Sequence, residues 1–374
     1  MDMDNTKKNN FSSYNLAPGD MYRLDIRENV ERSRKQDDWL WWGDANDYPQ
    51  FVLELMEKSA TLAVCLNSKI TIGYGKGVEI QNKGNVLVNR YETISELYYK
   101  LLADLWIFGG FCCEIIWSKD SSAIESIYHL PFQNVRVKKP LEEQHERDVE
   151  CYYYCENWKA QRKVITRFDA LNPVNKNGRQ IYYWKNYTPS NNKFYPLLPW
   201  QAGVNSAVLE SEIWEFHKTN LATSLLPNLN VSLIGSPTPQ EKEEIYEELV
   251  RSYSGKWGQK LMLSFSDLPE NRPVIETISN NANSSLYVDV LTLAQSATLS
   301  ANQISSPLLV GLHIGVANGF SSNADEIKTA TQHLLDFVIK PQLDKMNMGL
   351  ESILALKFNE PVYIVNLYQN TENL

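Results

Sequence analysis

The second half of the chain sets out an order of elements that few folds can accommodate. Two long helices are separated by a small module of strands and one helix, and a glycine-rich loop then leads into a third, longer helix. Ala207 to Leu226 carries Leu209, Ile213, Phe216, Leu221 and Leu225 at helical spacing. Leu229–Ile234 predicts a strand. Thr238-Pro239-Gln240-Glu241 has the form of a capping box with proline at the first helical position, and Gly255 closes that helix. Lys260–Phe265 and Pro273–Ile278 predict two more strands, and Leu286 to about Ile304 a second long helix. Ser305 to Ser322 reads as a loop of glycines and small residues. Asn323-Ala324-Asp325-Glu326 caps a final helix that reaches about Leu356, with Pro341 inside it as a kink.

The first half has a different rhythm. Residues 1–45 are polar, with Arg32, Arg34 and Lys35 followed by Trp39, Trp41 and Trp42, which reads as an arm with aromatic anchors. From Pro49 to about Ile70, Val52, Leu55, Leu62 and Leu66 share one helical face, with small Ser59 in the gap between them. Gly73, Gly75 and Gly77 precede a short strand at Val78–Ile80. A second amphipathic helix spans about Ile94 to Phe108 and stops at Gly109–Gly110. Phe111 to Trp117 predicts a buried strand, and Ile124 to Val137 a strand pair around Pro131. Tyr152–Tyr154, Val164–Phe168 and Ile181–Tyr187 are aromatic and β-branched, separated by turn signals such as Asn177–Gly178. The expected class is α+β.

Charge and motifs exclude several functions. The net charge of −9 argues against a protein that coats DNA, though not against a surface past which DNA slides. The most apolar stretch, Leu101 to Trp117, is broken by Asp104, Glu114 and Gly109–Gly110, so no membrane span is expected. The N-terminus has no apolar signal core. Gly73-Tyr74-Gly75-Lys76-Gly77 is followed by a strand, whereas a phosphate-binding loop must open a helix, so it reads as a turn. Cys151 and Cys155 on one strand lie roughly 13 Å apart, too far for one metal ion. The five cysteines are therefore expected as reduced core residues. The histidines have no ligand or catalytic spacing, and Walker and nucleophile-elbow motifs are absent. No enzyme activity, cofactor or metal is expected.

The element order resembles the shared plan of tailed-phage portal proteins of the HK97 type. Leu102–Asp104, Gly109–Gly110, Glu114–Ile116 and His129-Leu130-Pro131 resemble the family's wing. Asn205 to Leu209 resembles the start of its first stem helix, Ile304 to Gly311 the segment after its second, and Asn323 to Leu350 the helix that follows. The resemblance covers about residues 40–357.

It implies an arm (1–45), wing (46–205), first stem helix (206–228), clip (229–284), second stem helix (285–304), tunnel loop (305–322), kinked helix (323–357) and short tail (358–374), with little or no crown. It also implies a ring of about twelve subunits around double-stranded DNA. Terminase, a head–tail adaptor and the major capsid or scaffolding protein would be partners at a capsid vertex of the virion, after assembly in the host cytoplasm.

The residues give these roles specific positions. Polar, uncharged Gln295, Thr298 and Asn302 suit a wall that does not bind phosphate. Pro307, Gly311, His313, Gly315, Asn318, Gly319 and Ser321 would form a mobile constriction, with Leu308, Leu309, Val310, Leu312 and Ile314 packed between neighbouring copies. Pro341 would kink the supporting helix. Glu241, Glu244 and Glu248 would face a docking partner, or else a solvated helix face. The readings from other classes are a different head–tail structural protein and a magnesium-dependent nucleic-acid enzyme.

Overall fold

The computed structural model describes residues 28–29, 37–140, 148–190, 192–223, 229–234, 238–253, 261–266, 284–312 and 324–368. The chain opens with β1 (Glu28–Asn29) and β2 (Trp41–Trp42), which pair antiparallel. Then come α1 (Tyr48–Lys58), α2 (Ala60–Tyr74), β3 (Val78–Ile80) and α3 (Ile94–Phe108). The body continues through β4 (Gly110–Trp117), β5 (Ile124–Leu130), β6 (Val135–Val137), β7 (Cys151–Tyr154), β8 (Thr166–Ala170) and β9 (Arg179–Lys185). Beyond it lie α4 (Val204–Thr223), β10 (Leu229–Ile234), α5 (Pro239–Tyr253), β11 (Leu261–Ser266) and α6 (Ser284–Ala301). The last elements are α7 (Ala324–His333), a π-helical stretch Leu334–Ile339, α8 (Lys340–Phe358) and β12 (Ile364–Asn366).

α3 forms where the sequence says it should. Thr93 and Glu96 complete a reciprocal capping box, and Gly109 ends the helix in the left-handed region at φ 87°. The next residue starts β4, the second strand of a six-stranded sheet in the order β5-β4-β9-β8-β7-β6. All its pairs are antiparallel except β8 with β9. The expected pairing of the strands around Pro131 is not what forms. β5 and β6 lie at opposite edges of this sheet, because the 3₁₀ turn Phe132–Asn134 carries the chain across it.

The expected helix from Pro49 to Ile70 is two helices. Ser59 breaks it with extended backbone, its hydroxyl accepting from the Leu62 amide at 3.2 Å. The tail also holds a strand that periodicity did not reveal, since β12 pairs with β3.

α1, α2 and α3 pack on one another, and α3 covers β4 and β5. Trp42 stacks on Tyr195 at 4.5 Å and meets Phe132 edge-on at 5.6 Å. The Arg136 guanidinium is fully buried beside it, bonded to Asn46 Oδ1 (2.5 Å), Asn46 O (3.0 Å), Gln133 O (2.8 Å) and Val135 O (2.9 Å). All five cysteines are buried and free. Among the described residues no helix is long and apolar enough to cross a membrane, and no group of three His, Cys, Asp or Glu is placed to hold a metal.

Candidate functional site

α4 and α6 form the prominent pair outside the body. Trp200 and the 3₁₀ turn Gln201–Gly203 lead into α4, and Gly203 lets it seat against α6: a Cβ there would lie 2.7 Å from the Ala301 Cβ. One turn on, the Ser206 and Thr298 hydroxyls meet at 2.9 Å. Further out, Phe216 stacks on Tyr287 at 5.0 Å.

This packing reassigns the faces of α6. Gln295 is half-buried, but Thr298 and Asn302 are fully enclosed and do not line any open surface of the subunit. Both are polar residues that satisfy themselves along the helix. Thr298 Oγ1 donates to Ala294 O at 3.0 Å and Asn302 Nδ2 to Thr298 O at 2.9 Å, which makes their burial affordable in hydrogen bonds. The solvent face carries Leu293, Ser296, Ala297 and Ser300 instead. α4 exposes Leu209, Trp214 and Phe216, and α6 exposes Val288 and Leu293. A groove of about 480 Å³ runs between α1 and α4, with Phe51, Leu55, Val208 and Trp214 along it and Lys58 and Lys218 at its sides.

Between α4 and α6, β10, α5 and β11 form a small module whose strands run parallel. The Thr238 amide and hydroxyl both donate to Glu241, which holds that carboxyl below the usual carboxylate range. Glu241 and Glu244 are exposed, while the Glu248 side chain lies outside the described residues.

After α6 the chain makes a 3₁₀ turn at Pro307–Val310, and Gly311 follows with φ 72°. Leu308 and Val310 are buried within this subunit, so the expectation that they pack between copies is corrected. Their apolar side chains cover the flank of α2 and α7 instead. Ser306 Oγ donates to Glu326 Oε1 at 2.9 Å, tying the start of this segment to α7. His313, Gly315, Asn318, Gly319 and Ser321 lie outside the described residues. Pro341 is exposed, the second residue of α8. The irregularity in the long helix spans Leu334–Ile339, just before it. A proline has no N–H and collides with the carbonyl four residues back, and a widened π turn relieves both.

Sequence reasoning missed the residues that join α2 to α4 and α6. Glu210 of α4, fully buried, accepts from Ser59 Oγ at 2.5 Å and Thr61 Oγ1 at 2.8 Å. Lys69 of α2, also buried, donates to Asn302 Oδ1 at 2.8 Å. A lone lysine inside the apolar run Leu62–Ile72 was the available signal. Burial brings the Lys69 ammonium down to about 8 from its usual 10.5, and the Cys65 thiol beside it is pushed up to about 12.

Below pH 8 the folded and unfolded chains both hold the lysine proton, so its burial cost is fully felt. Between pH 8 and 10.5 only the unfolded chain holds it, and unfolding becomes harder. Denaturation midpoints of the wild type minus those of Lys69→Met should therefore rise from pH 8 to 10. A flat difference would mean that the lysine is not desolvated.

No family model matches the sequence, and no curated protein matches it. Solved structures do. A chain from the neck of an empty gene transfer agent particle, computed with C6 symmetry, aligns with a TM-score of 0.51 and 15% identity, over 86% of this chain and 85% of that one. A chain from the neck of the native particle, computed with C12 symmetry, gives 0.51 and 15% over 84% and 83%. An HK97 family phage portal protein from Corynebacterium diphtheriae gives 0.47 and 12% over 83% and 94%. At such identities the likeness is one of fold, and the two neck chains carry it. The α+β class read from the sequence is the class observed.

Proposed function

We propose, from a fold shared with chains of particle necks, that this chain is a phage portal subunit: one of a closed ring at a capsid vertex through which DNA is packaged and ejected. The observation that carries the reading is the α4–α6 pair, set within that fold and bearing Trp214 and Phe216 on one helix and Val288 and Leu293 on the other, all exposed. A head-to-tail ring needs two different contact faces on each subunit, and closure of such contacts gives a channel from one chain. A ring of about twelve is the expected size, in keeping with the C12 symmetry of one neck.

In this reading the outer face of α6, uncharged over Leu293, Ser296, Ala297 and Ser300 with Asp289 exposed nearer its start, takes the channel position that Thr298 and Asn302 cannot, and the loop 305–322 supplies the constriction. The acidic face of α5, with Glu241, Glu244 and Glu248, meets terminase or a head–tail adaptor. The protein acts by shape and assembly, with no catalytic step.

Native mass measurement at rising concentration tests the assembly. A discrete ring mass is expected, and Trp214→Asp should raise the concentration needed by roughly tenfold or more, as for a central interface aromatic. A single-chain mass at every concentration and salt would overturn the reading.

A further inference from the structure

Helices that seat on a protein body normally do so through apolar side chains, and here buried polar side chains also join α2 to both stem helices. Ser59, Thr61, Lys69, Glu210, Thr298 and Asn302 are each at most 2% exposed. Thr61, Cys65 and Lys69 follow at four-residue steps and so share one face of α2. One end of that face, with Ser59, holds the Glu210 carboxylate of α4. The other end holds the Asn302 amide at the end of α6, with Lys69 Nζ also 4.9 Å from the Trp106 ring centre. The two opposite charges thus take neutral partners at two separate contacts, Lys69 of α2 with Asn302 after α6, and Glu210 of α4 with Ser59 and Thr61 at the start of α2. Ser206 and Thr298 join the stem helices to each other.

Such contacts add little net stability, because folding exchanges them for bonds to water. Well-packed apolar replacements of buried polar pairs are often neutral or better. What a closed polar set supplies is geometry. If either stem helix slid by one turn on α2, a buried ammonium, carboxylate or amide would lose its partner. The close seat of Gly203 on Ala301, with 2.7 Å available to a Cβ, restricts the same placement sterically.

We infer that Lys69 with Asn302, and Ser59 and Thr61 with Glu210, are positioning residues: two buried latches, one for each stem helix, that fix the pose of the stem on the wing. Only the consequence of that pose for a channel rests on the portal reading. The latches themselves belong to the single subunit.

Full-length Lys69→Met and Lys69→Met/Asn302→Leu test this, compared with the wild type in the same assembly state. The single variant leaves the Asn302 oxygen unpaired and should lower Tm by roughly 3–6 °C. The double variant removes both partners and should return to within about 2 °C of the wild type. Its amides over 284–312 should nevertheless exchange about tenfold faster, while those of 94–108 keep wild-type rates. Wild-type exchange over 284–312 in the double variant would overturn the proposal, since apolar packing would then set the pose. A double variant as unstable as the single one would also overturn it, because the pair would then be a stability element. Loss of ring assembly in the wild type would refute the portal reading and leave these exchange rates readable.

Discussion

Replacing Gly109 by alanine is expected to lower the stability of the chain by about 3 kcal/mol, although alanine is usually the better helix residue. Gly109 caps α3 at φ 87°, where a side chain costs about 1–2 kcal/mol. A Cβ there would also lie 2.5 Å from the Leu197 carbonyl oxygen and 3.3 Å from Pro196 Cβ. A backbone atom cannot swing aside as a side-chain tip does, so the segment before α4 has to move, at a further ~1–3 kcal/mol. Gly110 is equally constrained, with Trp184 O 2.6 Å and Phe132 Cζ 2.9 Å from its added carbon. The loss of Gly109 reaches α4, because Leu197 lies just upstream of the turn that starts that helix. Urea midpoints for Gly109→Ala check this. An unchanged midpoint would show that the 196–199 segment yields freely.

Arg136→Met is expected to be the most damaging single change in the body, costing about 4 kcal/mol, because several enclosed acceptors lose a charged donor at once. The guanidinium donates to four oxygens on residues 46, 133 and 135, three of them in buried bonds. Its centre lies 5.8 Å from the Trp42 ring and 5.0 Å from Trp158. Methionine fills much of the volume but withdraws all four bonds, leaving Asn46 Oδ1 only the Trp42 amide at 3.2 Å. Arg136→Lys should rescue little, because an ammonium does not reproduce the planar fork that reaches several oxygens at once. Against a typical total of 5–15 kcal/mol, the expected observation is largely insoluble Arg136→Met protein and a lowered melting temperature in the soluble remainder. A soluble Arg136→Met protein that melts with the wild type would contradict this.

Local signals in the sequence were legible and distant ones were not. The start of α5 follows from Thr238-Pro239 and Glu241, and the end of α3 from Gly109, because a cap is chemistry between residues three or four apart. The partner of a strand is not local, so nothing near Pro131 reveals that β5 and β6 end at opposite sheet edges, nor that the tail at Ile364–Asn366 pairs with β3.

α6 misled for a different reason. Its serines, threonines and Gln295, with Asn302 just beyond its end, surround the helix, so polarity does not distinguish the face against α4 from the face in solvent. Thr298 and Asn302 bury by bonding to their own helix. Pro341 was a fair marker of distortion, but the relief is taken up in the π turn before it. The buried contacts of α2 with α4 and α6 were the least legible, since Lys69 and Asn302 stand 233 positions apart.

The central claim is that copies of this chain close head to tail around a channel. Class-average electron microscopy images of the purified full-length protein test it most directly. The account predicts end-on views of a closed ring with a central hole and a single rotational symmetry of about twelve. Single subunits, two-fold dimers or open filaments at every concentration, with no closed ring, would contradict it.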